Sequence, residues 1–197
     1  ISYESDETTH YSVVDRWGNA VSVTTTINLN YGNGCVVEGA GFFLNNEMDD
    51  FSSKPGVPNA FGLIGNKANA VEPSKRPLSS MTPTIILKDK KPFLIIGSPG
   101  GSTIITTTLQ TILNVVDHNM DVKEAVCAPR FHSQWLPDII QYEPNSLGKD
   151  LKKALQMKGH QMVERGGYIG EANGIMITEE GYFGGGDCRG ETSAIGY

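Results

Sequence analysis

Apolar and polar residues alternate along Tyr11-Ser12-Val13-Val14-Asp15 and again along Ala20-Val21-Ser22-Val23-Thr24-Thr25-Thr26. Both runs are rich in β-branched residues and flank the turn-forming Asp15-Arg16-Trp17-Gly18-Asn19, a pattern that predicts a β-hairpin. If Asp15 pairs with Asn19, antiparallel register sets Thr8 opposite Thr26. Thr8, His10, Ser12, Ser22, Thr24, Thr26 and Asn28 then share one face, and all of them are polar. A face turned to a hydrocarbon core does not have that composition, and a slip of one residue would break the pairing.

Residues 29–83 read mostly as loop, with turn-forming pieces at 32–34, 55–59 and 62–69. A segment that long without regular structure, inside a compact domain, is usually functional or disordered. Residues 78–83 lead into Thr84-Ile85-Ile86-Leu87-Lys88, a turn at 89–91, and Phe93-Leu94-Ile95-Ile96-Gly97. This predicts a second, apolar hairpin suited to a sheet covered on both faces. After Ser98-Pro99-Gly100-Gly101-Ser102 the period changes. Ile104, Ile105, Leu109, Ile112, Leu113 and Val116 follow helical spacing, with Ser102 placed to cap the helix. A shorter helix is expected over 122–127, stopped by Pro129, and another over 147–158, ended by Gly159. Gly174-Ile175-Met176-Ile177-Thr178, a turn at 179–181 and Tyr182-Phe183 predict a last hairpin. There are no internal repeats. Hairpins, then helices, then further strands indicate a layered α/β (α+β) domain rather than a strictly alternating doubly wound one. Residues 1–7 are polar and unpatterned and read as an exposed tail or linker.

Composition adds exclusions. The 197 residues fit one large domain or two small ones and carry a formal charge of −6 with both signs interspersed. That balance argues against nucleic acid or an anionic membrane as the main partner. No stretch reaches the length of a membrane span. Many of the 23 glycines cluster at 32–41, 97–101 and 184–190, where backbone is brought close to something. Cys35, Cys127 and Cys188 form no evident disulfide framework or zinc pattern. They read as ordinary thiols, with one disulfide left open. The chain starts at Ile1 without an initiator methionine or signal peptide, and reads as part of a longer product.

Several segments could carry chemistry. A helix start leaves amides unpaired and partly positive, and the glycines at 100–101 would let those amides approach an oxyanion closely. The junction lacks the Gly-Lys-Ser/Thr ending of a phosphate-binding loop. Asn45-Asn46-Glu47-Met48-Asp49-Asp50-Phe51 could hold an ammonium ion through charge-assisted hydrogen bonds. It could equally be a solvated loop, or a calcium turn without EF-hand spacing. Ser79 and Ser80, after Arg76-Pro77, offer hydroxyls to a carboxylate, or are ordinary loop serines. The four histidines make no metal pattern, and Arg130 and His132 read as structural. No Gly-x-Ser-x-Gly elbow supports a serine triad. Thr8, at the head of the first strand, becomes an acyl-transfer nucleophile if the chain is cut before it. The freed α-amine, with a reference pKa of about 7.7–8, then serves as base.

Together, Thr8-Thr9-His10-Tyr11-Ser12-Val13-Val14-Asp15, Leu44-Asn45-Asn46-Glu47-Met48-Asp49-Asp50-Phe51, Arg76-Pro77-Leu78-Ser79-Ser80-Met81 and Gly97-Ser98-Pro99-Gly100-Gly101-Ser102 closely resemble the small subunit of γ-glutamyltranspeptidase. Ala128-Pro129-Arg130-Phe131-His132 and Ala194-Ile195-Gly196-Tyr197 agree as well, so the likeness covers 8–197 in order. The resemblance implies an N-terminal-nucleophile hydrolase fold, a four-layer αββα sandwich. Residues 8–197 would be one catalytic domain, completed by a large subunit cut from the same precursor, with 1–7 as the linker before the processing site. It implies Thr8 as processing residue and nucleophile, Thr26 as its hydrogen-bond partner, and Gly100 and Gly101 as the oxyanion hole. Asn28, Glu47 and Asp50 would hold the substrate's α-amino group, and Ser79 and Ser80 its α-carboxylate. Some relatives carry glutamine at position 47.

Residues 55–66, with Phe61, resemble a lid loop that carries tyrosine at position 61 in some bacterial members. The implied reaction moves a γ-glutamyl group from glutathione to water, an amino acid or a peptide through an ester on Thr8, without metal or organic cofactor. The family's compartment would be periplasmic or extracellular. The alternatives are an acylase or poly-γ-glutamate depolymerase of the same fold, or a non-catalytic unprocessed precursor.

Overall fold

The structure is a computed structural model that describes residues 8–196, and the expected linker of residues 1–7 lies outside them. Strands β1 (Thr9–Val14) and β2 (Ala20–Thr25) form the first hairpin, paired from Thr9 opposite Thr25 to Val14 opposite Ala20. The Asp15 N–H donates to Asn19 O at 3.0 Å, closing the turn. The Asp15 carboxylate accepts from Asn19 Nδ2 at 2.7 Å and from the Trp17 and Asn19 amides at 2.9 Å. The Asn19 side chain, with the turn amides, holds that carboxyl below its ordinary range. This is the expected register, and one further step sets Thr8 against Thr26.

The ribbon is inverted relative to an ordinary surface hairpin. Its polar face turns inward, while Tyr11, Val13 and Val21 on the other face are about half exposed. Inward polar groups persist because they satisfy one another. Buried His10 bonds through Nδ1 to Thr24 Oγ1 at 2.8 Å and through Nε2 to Ser12 Oγ at 3.1 Å. Ser22 Oγ donates to Ile96 O at 3.2 Å. Burial pushes the His10 imidazole down to about 4, so the ring is neutral across the physiological range.

Beneath the ribbon lies an antiparallel sheet of β3 (Thr84–Lys88), β4 (Lys91–Gly97), β8 (Asn173–Thr178) and β9 (Gly181–Gly186), in that spatial order. Asp89 and Lys90 turn the chain with φ of 50° and 66°, so β4 starts two residues earlier than the apolar run suggested. Leu94, Ile95 and Ile96 of β4 are fully buried, as expected of a strand covered on both faces. Strand β3 departs from that expectation. It is an edge strand, with Ile85 and Leu87 substantially exposed.

Helices α1 (Ile104–Val116) and α2 (Val122–Cys127) pack against this sheet, around a core of Leu94, Ile96, Val115, Val122, Ala125, Val126 and Ala172. The second helix has the expected bounds and is held by a capping box between Asp121 and Glu124. The first departs from expectation twice. A 3-10 turn, Gly101–Thr103, precedes it and contains Ser102, so the N-cap position falls to Thr103, whose side chain makes no capping bond. It also buries a threonine face (Thr107, Thr108, Thr111) and leaves Ile105, Leu109, Leu113 and Val116 exposed. Of the three, Thr111 Oγ1 bonds back to Thr107 O at 3.0 Å and Thr108 Oγ1 accepts from Thr82 Oγ1 at 3.3 Å, while Thr107 Oγ1 has no partner among the described residues.

A second small sheet joins β5 (Phe131–His132), β6 (Ile140–Tyr142) and β7 (Met162–Glu164), with β6 and β7 parallel. The sequence did not predict it, because strands this short show no alternation. The last helix, α3 (Lys149–Met157), lies within the expected span and precedes Gly159, whose φ is 95°. The closing hairpin forms as predicted. Gly185 is required there, since a Cβ would meet the Val122 backbone at 2.9 Å where α2 crosses β9. Among the described residues no helix is long and apolar enough to cross a membrane.

Cys127 and Cys188 are joined in a disulfide with Cα atoms 5.3 Å apart, which corrects the reading of three ordinary thiols; Cys35 is free and exposed. The bond links positions separated by 61 residues. By the chain-entropy argument, a closed loop of that length is worth about 4 kcal/mol. Cys127→Ser/Cys188→Ser is therefore expected to lower the urea midpoint clearly and to steepen the slope, because the unfolded chain, no longer crosslinked, exposes more surface. An unchanged midpoint would show that the crosslink does not constrain the unfolded chain.

Candidate active site

Thr8 sits at the head of β1 and is nearly buried, with 8% of its surface exposed. Thr26 sits just past the end of β2, and its Oγ1 accepts the Asn28 amide N–H at 2.9 Å. Asn28 adopts a φ of 76°, a left-handed conformation that asparagine tolerates better than most residues. That bend sends Asn28 Nδ2 to Asn46 O at 3.2 Å, while Asn46 Oδ1 accepts from the Leu29 amide at 3.1 Å. The end of the ribbon is thereby fastened to the acidic 3-10 turn Glu47–Asp50. Asn69 carries the connection onward. Its Nδ2 donates to Asp50 O at 2.7 Å and its Oδ1 accepts from the Leu78 amide at 3.0 Å, beside Ser79 and Ser80.

These connections frame a small pocket, open to solvent on one side, with about 30 Å³ of free space. Thr8, Thr26, Asn28, Asp50, Ser79 and Ser80 line it, together with Gly101 from the glycine turn and Phe61 and Leu63 from residues 55–66. Glu47 and Gly100 are not on the wall. Gly100 stands one residue behind, where a Cβ would meet Thr103 Oγ1 at 2.7 Å and Gly170 Cα at 3.1 Å. Gly101 has a φ of 54°, and a Cβ there would press on the Phe61 ring at 2.7 Å. Both positions therefore need glycine, for conformation and for space.

Glu47 lies beside Asp50 in the acidic turn. Burial first, then a hydrogen bond and repulsion from Asp50, push the Glu47 carboxyl up to about 7. Burial likewise raises Asp50 above its ordinary range. The pair holds a proton near neutrality, and a bound ammonium could take that proton's place.

The wall formed by residues 55–66 is a self-contained loop. Asn59 Oδ1 accepts from the Phe61 amide at 3.0 Å and the Leu63 amide at 2.9 Å, and Gly56 N–H donates to Gly65 O at 3.0 Å. Asp49 Oδ2 anchors it from below by accepting the Ala60 amide at 3.1 Å. The sequence did not single out Asn46, Asp49, Asn59 or Asn69 for these tasks. Asparagine in turn-forming stretches was the available signal for Asn59; nothing local pairs Asp49 with Ala60.

Behind the glycine turn, segment 169–172 is fixed by a buried ionic cluster. Arg130 Nη2 meets Asp187 Oδ2 at 2.6 Å, and Arg189 clasps Glu143 with two contacts of 2.7 Å. Glu143 Oε1 accepts the Ile169 amide at 2.8 Å, and Asp187 Oδ2 accepts the Ala172 amide at 2.7 Å. Glu171 N–H donates to Ser98 Oγ at 3.0 Å, which joins that segment to the residue two before Gly100. Arg130 is thus structural, as read. Its charge is buried with its partners satisfied, the condition under which such a pair is tolerated.

A family model described as Gamma-glutamyltranspeptidase matches residues 2–197. The chain is 54% identical over 179 residues to a glutathione hydrolase proenzyme of Escherichia coli (strain K12), covering 91% of this chain and 30% of that protein. It thus spans less than a third of that relative's length. Among solved structures, a mutant Helicobacter pylori gamma-glutamyltranspeptidase aligns with a TM-score of 0.88 and 56% identity, over 92% of this chain and all of that one. The Pseudomonas nitroreducens gamma-glutamyltranspeptidase complexed with L-DON aligns with a TM-score of 0.89 and 44% identity, over 96% and 99%.

Proposed function

Because the chain belongs to the γ-glutamyltranspeptidase family, with its N-terminal-nucleophile hydrolase fold, we propose that it is the catalytic small-subunit portion of a γ-glutamyltransferase and glutathione hydrolase. The observation that carries this reading is the single cavity that joins Thr8 to Gly101, Asp50, Ser79 and Ser80. It groups a nucleophile, an oxyanion donor and polar partners for both ends of a zwitterion.

While Thr8 is amide-linked to Glu7 it has no free amine, so cleavage before Thr8 comes first. Its hydroxyl then attacks the γ-carbonyl carbon, and the freed α-amine takes the hydroxyl proton. Thr26, whose oxygen already accepts from Asn28, has its own O–H to offer the nucleophile. The tetrahedral oxyanion lies against the Gly101 amide, with Gly100 behind the wall shaping the turn that presents it. Its collapse expels the leaving amine, which takes up the proton and leaves a γ-glutamyl ester on Thr8. Water or an acceptor amine reverses the sequence and frees glutamate or a new γ-glutamyl compound. Asn28 and Asp50 hold the donor's ammonium, with Glu47 behind the wall adding its charge through Asp50, and Ser79 and Ser80 hold its carboxylate. Phe61 covers the donor from the lid without the hydroxyl that tyrosine would bring.

The proposal includes a large subunit from the same precursor. The exposed apolar residues of α1 and of the ribbon's outer face support it, being surface that a further layer would cover. It also includes a periplasmic or extracellular compartment, which the Cys127–Cys188 disulfide supports.

N-terminal sequencing of the active full-length protein, with a γ-glutamyl-p-nitroanilide assay, tests the reading. A small subunit beginning at Thr8 is expected; turnover by protein uncut at Thr8 would reject it. An acylase for another donor is the alternative in the same fold. The acidic pair disfavours it, because a glutaryl group has no ammonium to offer. Faster turnover of glutaryl than of γ-glutamyl anilide would decide for the acylase.

The acidic pair also sets a pH dependence. Glu47 is protonated below about 7, so the apparent affinity for an α-ammonium ligand is expected to rise as pH increases from 6 to 8. Calorimetry in buffers of different ionisation enthalpy should show proton release on glutamate binding near pH 7, and none in Glu47→Gln. Identical proton counts in the two proteins would remove Glu47 from the ammonium site. The sign for the unliganded fold is opposite. The unfolded chain ionises Glu47 at an ordinary 4.5, so this group's contribution to stability falls as pH rises from there to about 7.

A further inference from the structure

We propose that Gln134 is a positioning residue that latches residues 55–66 closed over the cavity and couples them, through His132, to the turn carrying Gly101. This rests on reading that loop as the lid of the donor site. Gln134 Nε2 donates to Gly62 O at 3.4 Å and to Leu136 O at 3.2 Å. Its Oε1 lies 2.9 Å from His132 Nε2. On the far side of the ring, His132 Nδ1 lies 2.8 Å from Thr106 Oγ1, which is itself 3.1 Å from Thr103 O. Thr103 closes the 3-10 turn that begins at Gly101. The chain of contacts therefore runs from the lid tip to the glycine turn, through a histidine that is 3% exposed.

The donor and acceptor roles are fixed from the Gln134 end of that path. An amide oxygen facing His132 takes a proton from Nε2, and the single Thr106 hydroxyl proton goes either to His132 Nδ1 or to Thr103 O, one at a time. Both N–H groups of Gln134 remain for the carbonyls of Gly62 and Leu136. All three of its hydrogen-bonding functions are in use, although Gln134 sits on an irregular loop.

Few tethers hold the lid tip. Its other hydrogen bonds run mostly within the loop, through Asn59. To the body it is attached by the Phe61 ring against Gly101, the Asp49–Ala60 bond and the Gln134 bond. The pocket has only about 30 Å³ of free space, so seating a γ-glutamyl group calls for residues 55–66 to move. At 3.4 Å the Gln134–Gly62 bond is longer than an ordinary N–H···O bond, a tether that can break on each turnover. Its loss is expected to shift the open population roughly three- to tenfold.

The test uses the full-length processed enzyme, with Gln134→Glu and Gln134→Ala. Glutamate keeps an acceptor for His132 but offers no N–H to Gly62. Hydrogen–deuterium exchange of peptides covering 55–66 is measured, together with KM and kcat for γ-glutamyl-p-nitroanilide. Both variants are expected to speed exchange across 59–64 by roughly three- to tenfold. KM should rise by a similar factor and change more than kcat. If Gln134→Glu exchanges like the parent while Gln134→Ala is loosened, the effect runs through His132 packing alone and the latch is refuted. Unchanged exchange in both variants refutes it as well. Exchange reports on the lid whatever donor the enzyme prefers, so this result is separable from the fate of the γ-glutamyl reading.

Discussion

Thr8→Ala is expected to leave the full-length chain uncut before residue 8 and to reduce γ-glutamyl turnover by roughly 10⁴-fold or more, the scale on which a lost nucleophile acts. The argument is geometric. The residue heads β1 and lines the pocket shared with Gly101, Asp50, Ser79 and Ser80, where no other hydroxyl is placed at the head of a strand to take over its role. Thr8→Ser keeps the oxygen and should retain both cleavage and measurable turnover. Mass spectrometry of the purified protein scores the first effect and the chromogenic assay the second. Cleavage at the same bond in the alanine variant would mean that another group attacks the peptide. Full turnover in that variant would remove Thr8 from the reaction altogether.

Gly101→Ala is expected to lower kcat by roughly 10²–10³, the loss typical of a single oxyanion donor. Two causes act together. A φ of 54° costs an L-residue about 1–2 kcal/mol. The added methyl also strikes the Phe61 ring at 2.7 Å. Either the turn relaxes and its amide leaves the oxyanion position, or the lid lifts. Pairing the change with Phe61→Ala separates the two, because the smaller side chain leaves room for the methyl. Most of the loss is expected to persist in the double variant, since the backbone preference at residue 101 is unrelieved. Full recovery would assign the defect to the lid and clear Gly101 of an oxyanion role. If Gly101→Ala also blocks processing, expressing the two subunits separately, with the small one starting at Thr8, keeps the kinetic measurement available.

The polar face of the first hairpin was legible because strand periodicity is strict. Once Asp15 and Asn19 pair, every partner back to Thr9 opposite Thr25 follows. The short helix at 122–127 was equally legible, since its cap and its stop lie within a few residues of it. Helix α1 was legible in existence but not in orientation. Its sequence shows an apolar stripe, yet Ile105, Leu109, Leu113 and Val116 face outward while Ile104 is buried and Ile112 packs on the core, because the inner face is chosen by the sheet it meets. The disulfide was not legible. Two cysteines 61 positions apart meet only when β9 is laid against α2.

The linear chain determined which residue types were available near Thr8, where the glycines stood, and the register that set Thr8 opposite Thr26, because these depend on neighbours a few positions away. Tertiary structure decided that Asp50, Ser79 and Gly101 share one cavity with Thr8, that Glu47 and Gly100 stand behind its wall, and that Gln134 reaches the lid. Those placements rest on contacts between segments far apart in the chain. The free energy that selects such contacts comes from burying β4 and from satisfying polar groups across elements, which no local pattern of residues encodes.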